Sequence, residues 1–270
     1  MMTAPSPSCL VLRLAGPLQS WGSGSQFNRR DTAPEPTKSG VIGILAAAQG
    51  RRRADPIEDL LALALGVRTD QPGSLLRDYH TASDYRRKPL PSSAVSGKGT
   101  QKLTSPAKYT YVTERYYLQD AVFVAAVHGP GGLLTALADA VAAPAFPLAL
   151  GRRSCVPAQP ILLPALAGSG GPDPRLWPGE PADVLGTVPW QGSPGTLQRQ
   201  NTGLPAAIDV PVTVDDPAGI DVRQDLPVSF DPLARAFRAR PVRHGWAHLP
   251  IPGGGQDTSA VHDPFALLGW

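Results

Sequence analysis

The stretch that decides the fold is residues 9–50, CLVLRLAGPLQSWGSGSQFNRRDTAPEPTKSGVIGILAAAQG. It opens with an apolar run short enough for one buried strand, and the segment after that run is rich in turn-forming residues. From Thr37 onward, apolar residues recur at helical spacing as far as Gly50, which is placed to end a helix. The stretch therefore predicts a strand, a long loop and a helix, in that order.

The start of this predicted helix is the first candidate site. Thr37 can cap the helix, and the amide N–H groups of Lys38, Ser39 and Gly40 would then lack intrahelical partners. Free amides, the positive end of the helix dipole and a lysine together suit a phosphate. The glycine that opens a nucleotide-binding P-loop ahead of its Lys-Ser pair is absent, since Thr32 and Ala33 lie there, so nucleotide hydrolysis is not predicted. Two interpretations stay open: a phosphate site, or a surface lysine on an ordinary capped helix.

The bulk composition indicates a globular protein and says little about a partner. The 270 residues are 42% hydrophobic and 17% charged, which is typical of a folded chain with a core. The net charge of +3 is too small to imply a nucleic-acid partner by itself. Most of the basic residues are arginines, which favour bidentate contact with phosphate and stacking on bases.

The cysteines and the N-terminus indicate the compartment. Cys9 and Cys155 form neither a CxxC pair nor a His/Cys cluster, so we predict no metal site and no cofactor. No signal-peptide pattern is present, and no run approaches the roughly 18 apolar residues of a membrane span. We therefore expect a reduced, cytoplasmic setting without membrane contact.

A second helix is predicted after the first. Asp55 begins it as a cap, a proline and a capping-box glutamate follow, and apolar residues form one face as far as Leu65. Gly66 is placed to end it. From there to Ala82 the chain is predicted to be extended, with a turn at residues 71–73.

A basic segment from Ser83 to Thr113 has almost no aliphatic residues and a single acid, Asp84. Loops of this length in compact domains are usually functional or disordered. Basic residues interleaved with aromatic ones match what single-stranded nucleic acid requires, although a merely solvated loop is the alternative. The basic residues are Arg86, Arg87, Lys88, Lys98, Lys102 and Lys108, and the aromatic ones are Tyr85, Tyr109 and Tyr111.

The elements up to residue 163 approximate the β-α-β-β-α-β ferredoxin-like pattern, apart from the additional second helix. A strong strand is predicted at residues 121–127 and a helix at residues 131–143. The closing strand is predicted at residues 160–163. Before it, Gly151 allows a close backbone approach.

The remainder of the chain divides by composition. Residues 164–206 are rich in Pro and Gly and predict a loop region. Residues 207–250 alternate as strands do and predict a β-rich C-terminal part. Residues 251–270 are expected to form a flexible tail.

Five short segments, in one order over roughly residues 9–165, carry a family resemblance. They are LRLAGPLQSWG at residues 12–22, PTKSG at 36–40, LRDYHT at 76–81, YYLQDA at 116–121 and LGRRSC at 150–155. They resemble the corresponding segments of the CasD subunits (the fifth Cas family, within the RAMP superfamily) of type I-E CRISPR Cascade surveillance complexes.

The resemblance implies a fold and a function. The fold would be α+β: a ferredoxin-like, RRM-like RAMP domain over residues 1–163 with a projecting basic thumb at about 83–115. The C-terminal part would be β-rich and loop-rich. The protein would be a non-catalytic subunit that grips the 5′ handle of the CRISPR RNA (crRNA) in antiviral defence.

The resemblance also implies partners and site residues. The partners would be the crRNA, the Cascade backbone subunit and the large PAM-reading subunit, with target DNA met only indirectly through the complex. The handle-facing candidates are Gln19, Trp21, Lys38, Ser39, Tyr79, His80, Arg152 and Arg153, and the thumb candidates are Arg86, Arg87, Lys88, Lys98, Lys102 and Lys108.

Two other functions are weighed against this one. A metal-independent endoribonuclease that processes precursor CRISPR RNA needs a base for a 2′-OH and an acid for the leaving oxygen. Tyr79, His80 and Lys108 are the residues available for those roles. A protein-only scaffold would need the apolar faces but not the basic thumb.

Overall fold

The described part of the chain is an α+β fold of mostly antiparallel sheets with few helices. The computed structural model describes residues 7–22, 28–83, 110–166, 173–193, 195, 205–231 and 234–251. The strands are β1 (Ser8–Ala15), β2 (Leu18–Gln19), β3 (Arg29–Arg30), β4 (Ala64–Gln71), β5 (Ser74–Ser83), β6 (Thr110–Gln119), β7 (Val122–His128), β8 (Leu176–Pro178), β9 (Ala207–Asp215), β10 (Asp221–Ser229) and β11 (Ala236–Pro250), and the helices are α1 (Lys38–Ala48), α2 (Glu58–Leu61), α3 (Gly131–Ala142) and α4 (Pro181–Thr187).

The larger sheet has seven strands within the described ranges, in the order β10-β11-β9-β4-β7-β1-β8. Its strand pairs are antiparallel. β1 and β7 lie side by side, with Leu12 opposite Ala125. Both strands are almost continuously apolar because both faces of this part of the sheet are covered. The C-terminal strands join the same sheet, since β9 pairs with β4.

Alternation along β1 divides the core between the two faces of this sheet, because successive side chains of a strand point to opposite sides. Leu10, Leu12 and Leu14 pack in one cluster with residues of α1 and α3. Cys9 and Val11 pack in a second cluster with residues of α4 and of β9. Helices α1 and α3 therefore cover one face, and α4 covers the other.

The smaller sheet is a long hairpin with two short strands added to it. β5 and β6 pair antiparallel from Ser74 opposite Gln119 to Ser83 opposite Thr110. β2 pairs with one end of β6, and β3 pairs parallel to its middle. Residues 84–109, which connect the two strands of this hairpin in sequence, lie outside the described residues.

The strand–loop–helix prediction for residues 9–50 is confirmed. The Thr37 hydroxyl accepts a hydrogen bond from the Gly40 N–H at 3.2 Å, so Thr37 is the N-cap of α1. Gly50 has φ +79°, the left-handed conformation that commonly follows a helix C-terminus and favours glycine. The β-strands predicted at residues 121–127 and from residue 207 onward, and the helix predicted at residues 131–143, are also present.

The prediction of a second long helix is wrong. Helix α2 spans only Glu58–Leu61, and Ala64 and Leu65 already belong to β4. β4 is hydrogen-bonded to β7 on one side and to β9 on the other, so pairing inside the sheet overrides the local helical periodicity. The extended chain and the turn predicted after Gly66 are confirmed by β4 and β5.

The predicted closing strand at residues 160–163 is reduced to one isolated bridge, Leu12 opposite Leu162. Pro160 within this segment and Pro164 directly after it lack the N–H groups that a ladder needs. β8 pairs with the remaining part of the β1 edge. Two segments therefore share the edge that one strand was expected to occupy.

Residues 164–206, predicted as a loop region, contain β8 and α4 where they are described. A buried ion pair on β4 fixes this region to the sheet: Arg68 Nε donates to Asp70 Oδ1 at 2.6 Å. Arg68 also donates to the carbonyls of Leu185 and Val188. Trp190 Nε1 donates to the Asp70 carbonyl at 3.0 Å. These contacts give the buried Arg68 guanidinium its hydrogen-bond partners. No periodic pattern in the sequence predicts them.

Candidate nucleic-acid interface

The start of α1 is already occupied by protein carboxylates. The Lys38 N–H donates to Asp225 Oδ2 at 2.8 Å, and Lys38 Nζ donates to Asp215 Oδ2 at 2.7 Å. Lys38 is only 6% exposed. This corrects both open interpretations of Lys38, since it is neither a surface lysine nor available to a phosphate. The anion that the helix start favours is an aspartate of the C-terminal strands.

Arg240 completes a buried network of two cations and two anions at this helix end. Its guanidinium pairs with Asp225 at 2.6 Å and also with Asp215. Ser39, a handle-facing candidate, is buried beside this network, with its Oγ 3.3 Å from the Thr37 hydroxyl. A neighbouring cleft of about 230 Å³ is lined in part by Glu35 and Asp225. Arg223 lines the same cleft and donates to Glu35 at 2.7 Å, so the charged groups around this helix start are already paired with one another.

Gln19 and Trp21 are structural. The Gln19 amide donates to the carbonyls of Leu14 at 2.9 Å and Ala121 at 2.7 Å, and its oxygen accepts from Trp21 Nε1 at 3.1 Å. The Trp21 ring is 0% exposed. It packs on Gly40 so closely that a Cβ there would lie 2.7 Å from a ring carbon. Trp21 was a handle-facing candidate, but its ring is enclosed by the core and is not available to a base.

The loop of residues 150–155 presents two arginines. Ser20 N donates to the Leu150 carbonyl at 3.1 Å, which docks the loop on the chain before Trp21. A Cβ at Gly151, where φ is +89°, would collide with the Ser20 carbonyl oxygen. This confirms the predicted close backbone approach at Gly151. The tight docking turns Arg153 outward and leaves Arg152 half-buried.

Arg152 connects this loop to the smaller sheet. Its Nη2 donates to the Arg30 carbonyl at 2.8 Å, and its guanidinium carbon lies 4.7 Å from the centroid of the Tyr117 ring. Its Nη1 is buried without a hydrogen-bond partner among the described residues. A planar cation stacked on an aromatic ring presents a charge and a flat surface together.

The strand register places further basic residues on the side of Arg152. Cross-strand partners share a face of a sheet, and alternate residues of one strand do so too. Arg115, two residues from Tyr117, is opposite Arg30 in β3, and Thr113 is opposite His80 in β5. We call this side the basic face; it carries Arg30, His80, Arg115 and Arg152, with Arg153 beside it and the acid Asp78 opposite Arg115.

The opposite side of the hairpin has a more balanced charge. Arg29 lies over the Tyr116 ring, 5.1 Å from its centroid, and its Nε donates to Asp31 Oδ1 at 3.0 Å. The hydrogen bond to Asp31 is the main reason that the pKa of Arg29 is raised. Tyr79, which is 58% exposed, is opposite Glu114 on this side. The carboxylates of Asp31 and Glu114 make this side of the hairpin less suited to a polyanion than the basic face.

The residues proposed for acid–base chemistry do not converge where they are described. Tyr79 and His80 are consecutive residues of β5, so their side chains leave opposite faces of the hairpin. A single site for RNA cleavage needs a base and an acid within reach of the same reacting group. Lys108, the third residue of that hypothesis, lies outside the described residues.

The six thumb candidates also lie outside the described residues. What the structure does describe is the β5–β6 hairpin from which this segment continues in sequence. The hairpin is anchored at its base by β2 and along its middle by β3. The candidates concerned are Arg86, Arg87, Lys88, Lys98, Lys102 and Lys108.

Other chemistry finds little support in the described ranges. They contain no group of three or more His, Cys, Asp or Glu side chains that could hold a metal ion. Burial raises the pKa of the Cys9 thiol to about 12 and raises that of Cys155 as well, so neither thiol is poised as a nucleophile. Within the same ranges, no helix has the length and apolarity needed to cross a membrane.

Sequence reasoning missed two members of the basic face. Arg30 belongs to a two-residue strand within a long connection, and its position depends on a parallel pairing with β6. In the sequence, Arg115 is only the first residue of an Arg-Tyr-Tyr run, which lies in β6, and nothing in that run assigns it to a face. The signal that identifies both is three-dimensional: the register of β3 against β6.

Three comparisons relate the chain to known proteins. A family model for CRISPR-associated protein (Cas_Cas5) matches residues 9–243. "CRISPR system Cascade subunit CasD" of Escherichia coli (strain K12) is 34% identical over 172 residues, which cover 58% of this chain and 70% of that protein.

Two solved structures share the fold and part of the sequence. One, a "CRISPR RNA-guided surveillance complex", is 35% identical with a TM-score of 0.66, over 92% of this chain and 95% of the other. The second, "Crystal structure of Cas protein", is 35% identical with a TM-score of 0.61, over 90% of this chain and 95% of the other. The similarity thus covers the described fold from the first strand into the C-terminal strands.

Proposed function

The chain belongs to the CRISPR-associated Cas5 family, as its resemblance to CasD subunits predicted, and from this premise we propose that it is a non-catalytic crRNA-binding subunit of a Cascade-type complex. Its RNA ligand is the 5′ handle of the crRNA. Its partners are the backbone subunit and the large PAM-reading subunit. The structural similarity to a chain of a CRISPR RNA-guided surveillance complex supports assembly of this kind.

The observation that carries the proposal is the basic face. Four basic residues from β3, β5, β6 and the loop of residues 150–155 share one side of the smaller sheet, and Arg153 is exposed beside them. Single-stranded RNA is held by cations along its backbone and by stacking of its bases on flat groups. The guanidinium of Arg152, supported from below by the Tyr117 ring, provides a charge and a flat surface together.

The predicted site residues take different roles in this proposal. His80, Arg152 and Arg153 meet the handle, together with Arg30 and Arg115, and the basic thumb crosses the guide next to the first backbone subunit. Tyr79 offers an exposed ring on the other side of the hairpin for a guide base or a partner subunit. The remaining handle-facing candidates are buried and fix the strand, loop and helix that hold the basic face in place; they are Gln19, Trp21, Lys38 and Ser39.

We assign the finer fold accordingly. The described strands β1, β4 and β7, with α1 and α3 on one face, follow the ferredoxin-like, RRM-like arrangement of the RAMP superfamily. The segment at the end of the β5–β6 hairpin is the thumb. β9, β10 and β11 extend the central sheet and supply the aspartates that close the start of α1.

Co-expression tests the function directly. The full chain, tagged, is produced with a CRISPR array and candidate partner subunits, and the RNA that copurifies is sequenced. We expect array-derived RNA that shares one 5′ end. The variant R152Q/R153Q should recover less of this RNA than the control variant R243Q. Arg243 is an exposed arginine that pairs with Asp216, away from the basic face. If the copurified RNA had random 5′ ends and was recovered in equal amounts with both variants, the proposal would be contradicted.

A further inference from the structure

β11 carries a tryptophan that is open to solvent in the middle of the strand. Trp246 is 73% exposed, whereas Trp21, Trp177 and Trp190 are buried. Its cross-strand neighbour in β9 is Pro211, which is also exposed. A large exposed aromatic ring is an informative feature, and tryptophan is among the residues that contribute most to protein–protein binding. The ring of Trp246 therefore marks a candidate interaction surface.

The strand register shows which side of the larger sheet this surface occupies. Ala247, the next residue of β11, packs in the cluster that contains α4. Trp246 consequently points to the opposite side, because successive side chains of a strand alternate. Helix α1 covers that side near Val242, since Asp215, opposite Val242, is paired with Lys38. Val242 is 0% exposed, so the cover by α1 ends along β11 and leaves Trp246 open.

Two carboxylates flank the exposed ring, and each of them is held by a histidine of β11. On one side of Trp246, His248 Nδ1 lies 2.8 Å from Asp209 Oδ1. On the other side, His244 Nε2 lies 3.8 Å from Asp221 Oδ2. The side chains of Asp209 and Asp221 are 66% and 57% exposed. We call these five residues the tryptophan surface; it combines an accessible aromatic face with two accessible carboxylates.

Neither carboxylate of the tryptophan surface is paired with a lysine or an arginine within the described ranges. The arginines of the adjoining strand positions have other partners, since Arg223 pairs with Glu35 at 2.7 Å and Arg240 pairs with Asp225 at 2.6 Å. The face of an indole ring attracts cations, and carboxylates beside it act in the same direction. The charge and the ring together are complementary to a positively charged group.

We infer that the tryptophan surface is a docking site for a cationic segment of a partner protein. A lysine or arginine of that segment lies over the ring of Trp246, and Asp209 and Asp221 complement its charge. The inference goes beyond the proposed function, because this surface belongs to the larger sheet and the basic face belongs to the smaller one. It assigns a protein-binding role to residues that take no part in holding RNA.

The charges distinguish this occupant from two others. RNA is disfavoured because its phosphates would meet two carboxylates. The C-terminal residues 252–270 contain Asp257 and Asp263 but no lysine or arginine, so they cannot supply the cation. A segment from another protein remains the occupant that matches both the ring and the charge.

The test uses the full chain and two fluorescein-labelled peptides of about nine residues, designed so that alternate positions face one side of an extended chain. One peptide carries arginine at alternate positions among glycine and serine. The other carries citrulline there, which has a similar shape without the charge. Fluorescence anisotropy measures binding at low salt, where exposed charges are least screened, for the wild type, W246L and D209N/D221N. Thermal unfolding verifies that each variant is folded.

Two control variants match these substitutions elsewhere on the molecule. Y79L removes the ring of Tyr79, which is 58% exposed on the smaller sheet. D183N removes an exposed acid of α4, on the opposite side of the larger sheet from Trp246. Both should bind the arginine peptide as the wild type does.

The expected changes follow from the strength of exposed cation–π contacts and ion pairs. W246L should bind the arginine peptide about two- to fivefold more weakly than the wild type. D209N/D221N should bind it about threefold more weakly, or less tightly still, because two exposed carboxylates are lost. The citrulline peptide should bind the wild type roughly tenfold more weakly than the arginine peptide, since both contributions depend on its charge.

Several results would overturn the inference. One is equal affinity of W246L and the wild type for the arginine peptide, which would show attraction by charge at other places; another is equal affinity of the wild type for both peptides, or for neither. Tighter binding by a chain ending at residue 252 would make the C-terminal residues the occupant. Dimers of the wild type that W246L converts to monomers, as measured by light scattering, would make a second copy the occupant. Loss of oligouridylate binding in W246L would assign the ring to RNA.

Discussion

The backbone N–H of Lys38, at the start of α1, donates to the carboxylate of Asp225, 187 positions away in sequence, at 2.8 Å. The same carboxylate accepts from Arg240, and Lys38 Nζ is paired with Asp215. The C-terminal strands thus provide the anion that the helix start requires. The Lys38 side chain and its backbone N–H are therefore both paired within the protein.

Removing the Asp225 carboxylate should destabilise the protein. In D225A, Arg240 and the α1 amide lose a buried partner, and breaking a buried ion pair typically lowers the free energy of unfolding by about 3–5 kcal/mol. Urea denaturation measures the change. D216A is the control: Asp216 pairs with the exposed Arg243, so a change within about 1 kcal/mol is expected. Equal effects of the two substitutions would show that the network does not hold the helix start.

Gly40 should tolerate no side chain. In G40A the new Cβ would lie 2.7 Å from the buried Trp21 ring, and overpacking of this kind typically costs about 1–3 kcal/mol of stability. Gly132, at the start of α3, has open space around it, so G132A should be nearly neutral in the same denaturation series. If the folded fraction of G40A bound RNA more weakly than G132A does, Trp21 and Gly40 would have a direct role in the interface.

Stability should fall in acid in part through Asp173. Hydrogen bonds from Arg175 are the main reason that the pKa of this carboxyl lies at about 2, below its usual range. Its contribution is complete above the unfolded pKa near 4 and is lost as the pH falls toward 2. In D173N, the free energy of unfolding should fall by about 1 kcal/mol less between pH 4 and 2 than in the wild type. The value is small because solvent screens the partly exposed Arg175. If the free energies of unfolding of the wild type and D173N changed equally between pH 4 and 2, this assignment would be contradicted.

RNA cleavage by His80 is not expected. Its neighbour Tyr79 projects from the other face of β5, so the two cannot serve one reacting phosphate. Incubation of the wild type and H80A with CRISPR repeat RNA in EDTA should leave the RNA intact in both, as judged on a denaturing gel. Cleavage by the wild type that is abolished in H80A would establish the endoribonuclease alternative.

The sequence predicted local elements better than the site. Thr37 and Gly50 marked the limits of α1 because capping and left-handed glycine are short-range effects. Helical periodicity through Leu65 was misleading, since sheet pairing on both sides of β4 decided the conformation there. Gly151 correctly predicted a close backbone approach.

The burial of Lys38 and Trp21 could not be read from the sequence. Lys38 is buried by aspartates on β9 and β10, far along the chain, and nothing near Lys38 indicates them. The ring of Trp21 is enclosed because α1 carries a glycine where the ring meets it. Arg30 and Arg115 became site residues only through the register of β3 against β6. Long-range pairings of this kind determine which cations remain available to RNA.

The most direct test of the account is the salt dependence of RNA affinity for the wild type and for R152Q/R153Q. We expect log K for crRNA handle RNA to fall linearly with log salt, by about 0.7 per phosphate contacted, and the slope of the double variant to be smaller by about 1.4. R243Q should retain the wild-type slope. A flat response of the wild type to salt, or identical slopes for all three proteins, would contradict the claim that the basic face holds the RNA backbone.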